Sequence, residues 1–184
     1  MSSWRTSLRK INQAFAKAGV FYALGGSEML CLRGLETTAH DLDLFVRIED
    51  KEKAREILCS IGEQIDAPIK PEYETKHYSR YLVEGIHADL MADFAVRTEC
   101  GLASYPSAAL CAAWIDMNQT PIPCMLLEDW LFLYLAIGRD KRVQTLVAHF
   151  RTHPIDRDRM DELMLLPMPE ELSRTLRHIL EKAS

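Results

Sequence analysis

The chain has 184 residues and a formal net charge of −5, with 48% hydrophobic and 27% charged residues. These proportions are typical of a globular protein and exclude a fibrous or intrinsically disordered chain. The length allows one hydrophobic core or two unequal halves. The acidic balance argues against the broad basic surface that duplex DNA requires, although a local basic groove for single-stranded RNA is compatible with it.

The cysteines and the apolar runs indicate where such a protein works. The five cysteines are widely spaced and include no Cys-x-x-Cys pair, which predicts reduced thiols rather than disulfides or a zinc site. The sequence has no apolar run of about 18 residues that could cross a membrane, and its first residues do not resemble a secretory signal. We therefore expect a cytoplasmic protein without a membrane partner.

The first two thirds of the sequence predict a mixture of helices and strands. Apolar residues at helical spacing predict a helix from Trp4 to about Phe15, with Ser2 and Ser3 as caps and Gly19 at its end. The elements that we expect next are a strand over residues 20–24, a helix over 27–33, a strand over 41–46, a helix capped by Asp50 and ended by Gly62, one or two strands over 78–96 with a bend or bulge at Gly85, and a hairpin of two strands over 113–117 and 121–125.

The last third changes character. Helical periodicity predicts four helices over residues 128–137, 140–150, 156–165 and 169–182. The pattern therefore predicts an α/β (α+β) fold in which a mixed sheet is flanked by helices. We expect residues 1–125 to form the core and residues 126–184 to form a helical carboxyl-terminal part that packs against it and closes one side of a cleft.

An acidic pair is the first candidate for a site. Asp41 and Asp43 alternate with leucines, so their carboxylates share one strand face with Cα atoms about 7 Å apart. Asp89 on a later strand could supply a third carboxylate, and Asp93 is a rival on the same face. Two like charges 4 Å apart repel by about 4 kcal/mol at an effective dielectric constant near 20, so such a cluster calls for a cation, and magnesium prefers these oxygen ligands. In the alternative interpretation Asp41 caps a turn, Asp43 faces solvent and Asp89 is unrelated to them.

A glycine turn and a basic cluster are candidates for binding phosphate. Gly25-Gly26-Ser27 follows the predicted strand and is either a plain tight turn or a loop whose bare backbone and hydroxyl receive phosphates. Arg139 and Lys141 begin a predicted helix and could donate charge-assisted hydrogen bonds to phosphates. A solvated basic face is the alternative for that pair.

These residues together resemble a known group. Gly25-Gly26-Ser27, the helix after it and Asp41-Leu42-Asp43 with apolar flanks resemble the signature of the DNA polymerase beta-like nucleotidyltransferases. The stretch from Gly34 to Asp43 is most similar to the lincosamide and aminoglycoside nucleotidyltransferases and to small uncharacterised relatives. The match covers roughly residues 20–140, and its later part is a strand followed by a helix that begins with Glu-Asp.

The resemblance implies a reaction and a set of roles. A nucleoside monophosphate would pass from a nucleoside triphosphate such as ATP to an acceptor hydroxyl on a small molecule, an RNA end or a protein. Gly25, Gly26 and Ser27, with Arg139 and Lys141, would bind the nucleotide. The three acids, Asp41, Asp43 and Asp89, would bind two magnesium ions, and Asp89 could also take the proton of the acceptor.

Two departures from the family pattern favour an alternative function. The arginine that relatives often carry before the acidic pair is Leu35 or Thr37 here, and the lysine common in the later helix is Tyr134. The alternative is a catalytically degenerate protein of the same fold that binds nucleotide or a partner, for example within a toxin–antitoxin pair. A third possibility is a structural protein whose acids only cap turns.

Overall fold

A computed structural model describes residues 4–68 and 71–182 of the chain. The helices are α1 (Trp4–Ala18), α2 (Gly26–Leu32), α3 (Lys51–Ile61), α4 (Leu127–Ala136), α5 (Asp140–Phe150), α6 (Arg157–Met164) and α7 (Glu170–Lys182). The strands are β1 (Tyr22–Leu24), β2 (Asp41–Val46), β3 (Glu63–Ile65), β4 (His77–Val83), β5 (Ile86–Ala92), β6 (Phe94–Thr98), β7 (Gly101–Tyr105), β8 (Ala113–Asp116) and β9 (Pro121–Cys124). Within the described residues no helix is both long and apolar enough to cross a membrane.

Helix α1 forms because its apolar side chains recur on one face. Leu8, Ile11 and Phe15 are fully buried, as their helical spacing predicts. The Phe15 ring packs edge-on against Tyr22 of β1, with ring centroids 5.2 Å apart. The proposed caps of this helix, Ser2 and Ser3, lie outside the described residues. The predicted helix is confirmed.

A mixed seven-stranded sheet is the centre of the fold, with the strand order β3-β4-β5-β2-β1-β9-β8. Strand β2 pairs antiparallel with β1 and parallel with β5, and β1 pairs parallel with β9. Leu42 and Leu44 on β2 are fully buried, as their alternation with the acids predicts. The predicted hairpin near residue 120 is confirmed, because β8 and β9 pair antiparallel.

The chain forms two compact units. The first comprises Met1–Lys70, Thr75–Phe94 and Pro106–Met125, and the second comprises Pro71–Glu74, Ala95–Tyr105 and Leu126–Ser184. The seven-stranded sheet and α1 to α3 belong to the first unit, whereas α4 to α7 and most of the β6-β7 hairpin belong to the second. The division into residues 1–125 and 126–184, and the packing of one part on the other, stay predictions.

Some local predictions were wrong in instructive ways. Gly85 is not a bend or bulge within a strand, because Glu84 and Gly85 both have positive φ angles, of 49° and 78°, and form the tight turn between antiparallel β4 and β5. Asp50 precedes α3 but makes no side-chain cap. Its carboxylate instead accepts a hydrogen bond from the Phe21 backbone N–H at 3.2 Å.

The second unit has an apolar helix surrounded by amphipathic ones. Helix α4 is buried on nearly all sides, which is typical of a helix at the centre of a helical core. Helix α6 begins at a true cap, because the Asp156 carboxylate accepts from the Arg159 backbone N–H at 3.0 Å. All four predicted helices of this region are confirmed within one or two residues.

Candidate active site

The turn between β1 and α2 lies directly against the acidic strand. The Gly25 N–H donates to the backbone carbonyl of Asp43 at 2.8 Å. Gly26 has a φ angle of +66°, and a Cβ atom added there would lie 3.0 Å from Cγ of Asp43 and still closer to Oδ2. Only glycine satisfies both conditions without strain. The turn therefore holds Asp43 against bare backbone.

The sheet brings three of the predicted acids onto one face. In the parallel pair of β2 and β5, Asp43 lies directly beside Asp89, and Asp41 lies beside His87. Neighbouring residues in adjacent strands present their side chains on the same face, about 5 Å apart. Asp89 is therefore a neighbour of the acidic pair and not unrelated to it.

A fourth acid, Glu28, joins this cluster from the first turn of α2. Its side chain is fully buried, and it accepts hydrogen bonds from the Asp41 backbone N–H at 3.1 Å and from the Ser27 hydroxyl at 3.2 Å. Burial, reinforced by the charge of Asp41, raises the pKa of Glu28 to about 7. Carboxylate oxygens of Glu28, Asp41 and Asp43 all lie within 4.8 Å of one another. This set of hard oxygen donors fits a divalent cation such as magnesium.

Asp89 has a cationic partner on the neighbouring strand. Strand β4 pairs antiparallel with β5 and sets Arg80 opposite Asp89. The guanidinium of Arg80 donates from Nε to Oδ1 and from a terminal nitrogen to Oδ2, both at 2.6 Å. The hydroxyl of Tyr78 also donates to Oδ2, at 3.0 Å. The same terminal nitrogen of Arg80 lies 3.7 Å from Asp41 Oδ2, so Arg80 contacts two acids of the cluster.

Asp89 and burial change the pKa values of the two residues that donate to this carboxylate. The hydrogen bonds to Asp89 raise the pKa of Arg80 above its ordinary value, so the guanidinium stays protonated. Burial, together with the charge of Asp89, raises the pKa of the Tyr78 hydroxyl, so it remains a donor at neutral pH. Because the guanidinium is charged, its hydrogen bonds to Asp89 are charge-assisted and strong.

Sequence reasoning missed Glu28, Arg80 and Tyr78. Glu28 carried a signal, because it is the one acid in the short apolar segment of α2. Arg80 and Tyr78 alternate along β4 and so share a face. The register that sets Arg80 opposite Asp89 had no equivalent signal, because a one-residue shift would move every side chain to the other face.

Asp93, the predicted rival of Asp89, lies off the acidic face. It follows the end of β5 with a φ angle of 52°, and its Oδ1 accepts from the Ser107 backbone N–H at 2.8 Å. Although burial raises the pKa of Asp93, the hydrogen bonds with Ser107 lower it below its ordinary value overall. Its prediction as a same-face acid failed because the strand ends before it.

The predicted nucleotide-binding residues fall into both units. Gly25, Gly26 and Ser27 border the acids, and Ser27 uses its hydroxyl to contact Glu28. Arg139 immediately precedes α5 and Lys141 lies in its first turn, and both are exposed residues of the second unit. Their contact with phosphate stays a prediction.

Comparison with models of protein families and with curated proteins gives no match for this sequence. Solved structures do match. TM1012 from Thermotoga maritima, a proposed nucleotidyltransferase, aligns with a TM-score of 0.61 and 21% identity over 82% of this chain and 94% of its own. The antibiotic-resistance factor ANT(2″)-Ia, in complex with adenylyl-2″-tobramycin, aligns with a TM-score of 0.58 and 14% identity over 100% of both chains.

A further match is the lincosamide antibiotic adenylyltransferase LnuA with bound lincomycin. It aligns with a TM-score of 0.52 and 17% identity over 77% of this chain and 94% of its own. All three identities are low, so these structures define the fold. The chain has the fold of the polymerase beta-like nucleotidyltransferases, as the sequence motifs implied.

Proposed function

We propose that the protein is a magnesium-dependent nucleotidyltransferase that moves a nucleoside monophosphate from a nucleoside triphosphate to an acceptor hydroxyl and releases pyrophosphate. One observation carries the proposal: Asp41, Asp43 and Asp89 share one face of the sheet beside the Gly25-Gly26 turn. The fold, which is that of nucleotidyltransferases, supports this class of reaction.

The chain's own acids have distinct roles in this proposal. Asp41 and Asp43 would hold magnesium, with Glu28 and Asp89 as the neighbouring carboxylates. Two such ions, when bound, would lower the pKa of the acceptor hydroxyl and neutralise charge on the departing pyrophosphate. Asp89 would accept the proton of the acceptor hydroxyl at one of its carboxylate oxygens.

The glycine turn supplies the phosphate site of this proposal. Gly26 has no Cβ, so a phosphate can approach the backbone there. The Ser27 hydroxyl would turn from Glu28 to the phosphate. For the acceptor we propose a hydroxyl-bearing small molecule, since two of the similar structures are complexes with adenylyl-2″-tobramycin and lincomycin. An RNA end and a protein are the other outcomes of an acceptor screen.

Calorimetric titration tests the metal and nucleotide site. Magnesium, and then each nucleoside triphosphate with magnesium, is titrated into the wild-type protein and the Asp41→Asn and Asp43→Asn variants. We expect each variant to lose at least about tenfold in affinity, because even groups that only orient metal ligands contribute that much. Asp66→Asn, an exposed acid of the first unit, is the matched control. Wild-type affinity in both site variants would reject the proposal.

The catalytically degenerate alternative is favoured by one specific observation. Both oxygens of Asp89 are already occupied by Arg80 and Tyr78. Incubation with labelled triphosphates and a panel of small molecules, tRNA and proteins separates the two functions. Transfer of label that disappears in Asp89→Asn establishes the enzyme. Nucleotide binding without transfer to any acceptor supports the degenerate protein that binds nucleotide or a partner.

A further inference from the structure

The Arg80 guanidinium borders the acidic cluster and is largely excluded from water together with its partner Asp89. Only 16% of the Arg80 side chain and 6% of the Asp89 side chain are exposed. Attraction between charges that are largely excluded from water is screened much less than at the surface. The pair is also bidentate, with both contacts at 2.6 Å, which is the strongest geometry for an arginine and a carboxylate.

This pairing uses three of the lone pairs that a metal or a proton could use and leaves one on Oδ1. A carboxylate has about four lone-pair sites on its two oxygens. In Asp89, Oδ1 accepts from Arg80, and Oδ2 accepts from both Arg80 and Tyr78. A divalent cation at the same oxygens would also lie close to the positive guanidinium. Arg80 and a metal ion therefore compete for Asp89.

The balance of charge explains why an arginine is found there. Carboxylate oxygens of Glu28, Asp41 and Asp43 lie within 4.8 Å of one another, and Asp89 lies beside Asp43 on the adjacent strand. Without a cation their mutual repulsion would favour their separation. Arg80 contacts Asp89 directly and lies 3.7 Å from Asp41, so it offsets the charge of two of them and keeps the cluster assembled.

We propose that Arg80 is a positioning residue that holds Asp89 while no divalent cation is bound and must release it before Asp89 can ligate a metal or accept a proton. This inference rests on the proposed function, because it assumes that the acids bind a divalent cation. Arg80 thus lowers the intrinsic metal affinity of the site and couples metal binding to a rearrangement of its own side chain. If Arg80 were purely structural, its removal would disorder the site and so weaken magnesium binding.

Titration of magnesium alone into Arg80→Met and Arg80→Lys tests the proposal. We expect Arg80→Met to bind magnesium at least about tenfold more tightly than wild type, because a charged competitor has been removed. Its metal-free melting temperature should fall by about 5–10 °C, since Asp89 loses its partner, and magnesium should raise it more than in wild type. Arg80→Lys keeps the charge but cannot donate from two nitrogens in the fixed fork, so its affinity should be intermediate.

Arg97→Met is the matched control. Arg97 also donates to a carboxylate from two nitrogens, at 3.0 and 2.6 Å from Glu74, but belongs to the second unit, and its loss should leave magnesium affinity unchanged. Unchanged or weaker magnesium binding in Arg80→Met overturns the inference, and Arg80→Lys decides if Arg80→Met does not fold. If wild type and both Arg80 variants bind no magnesium, the proposed function itself fails. If wild type binds magnesium and Asp43→Asn does not, the proposed metal site is supported, and the Arg80 variants then test only the role of Arg80.

Discussion

The two units each contain a buried aspartate paired with an arginine, and the pairs differ in their surroundings. In the first unit Arg80 Nε lies 2.6 Å from Asp89 Oδ1, and in the second Arg159 Nε lies 2.9 Å from Asp129 Oδ1. Both aspartates are buried. Asp89, however, borders further acids on its sheet face, notably Asp43. Arg80 reaches both carboxylate oxygens of Asp89, whereas Nε and a terminal nitrogen of Arg159 both reach Oδ1 of Asp129. A buried aspartate with an arginine partner therefore does not by itself identify a site.

The guanidinium nitrogens of Arg159 donate hydrogen bonds to several residues of the second unit. Besides Asp129 on α4, the guanidinium contacts Glu162 at 2.7 Å and the hydroxyl of Tyr105 at 3.3 Å. These contacts connect α4, α6 and β7, which indicates a structural role in the second unit. By the proposal above, the Arg80–Asp89 pair gives way to a metal ion, whereas we expect the Arg159–Asp129 pair, which is part of a network across α4, α6 and β7, to persist. This difference predicts opposite responses to substitution.

The largest expected effect is on the structural pair. Arg159→Met leaves Asp129 buried without its cation, and we expect a loss of about 3–5 kcal/mol in the free energy of unfolding. Urea denaturation followed by circular dichroism measures it. The double variant Asp129→Leu with Arg159→Met should recover part of this loss, because no charge then remains buried. A loss below about 1 kcal/mol for the single variant would mean that this pair behaves like a surface pair.

The glycine at the acidic site gives the next largest effect. Gly26→Ala adds a Cβ against Asp43 at a positive φ angle, and we expect a loss of about 2–4 kcal/mol together with weaker magnesium binding. Gly19→Ala is the matched control, because Gly19 has nearly the same φ angle, +69°, but nothing within 4 Å of the added Cβ. It should lose only about 1–2 kcal/mol from the backbone. Equal losses in thermal or urea unfolding would show that contact with Asp43 is unimportant.

The strongly periodic parts of the fold could be predicted from the sequence. The spacing of Leu8, Ile11 and Phe15 defines α1, and the alternation around Asp41 and Asp43 defines β2 to the residue. These patterns have a physical basis, since each describes which side of an element is buried. The β6-β7 hairpin and the three-residue strand β3 were missed. Strand β3 has one apolar residue among three, so it has no apolar face that a pattern could reveal.

The candidate site could be predicted only as far as single segments allowed. Asp41 and Asp43 lie on one strand, so their common face follows from the period of two. Their neighbours Glu28 and Arg80 come from other elements, and strand order and register bring them there. Register depends on packing across the whole sheet and not on any one segment. The partners of a carboxylate are therefore harder to predict than the carboxylate.

A smaller effect should appear as a pH dependence of stability in the second unit. Burial raises the pKa of Asp129 to about 6, although the charge of Arg159 opposes this. Between about pH 4 and 6 the native state then holds a proton that the unfolded chain releases. The contribution is fully present below about pH 4 and is lost as the pH rises through 6. Urea unfolding of wild type and Asp129→Asn measures this effect. The free energy of unfolding of wild type relative to the variant should fall as the pH rises from about 4 to 6, and a constant difference would contradict the prediction.

The smallest effect should come from an arginine–carboxylate ion pair at the surface. Arg174 lies 3.0 Å from Glu170 on α7, but their side chains are 73% and 89% exposed. Arg174→Met should change the free energy of unfolding by less than about 0.5 kcal/mol, because water screens the pair and ordering two long side chains costs entropy. In 1 M salt, where the Debye length is about 3 Å, this change should disappear while the effect of Arg159→Met remains. If Arg174→Met lowers the free energy of unfolding as much as Arg159→Met does, burial does not explain the difference between these two pairs. Any difference between Arg159 and Arg80 would then have to arise from their neighbouring acids.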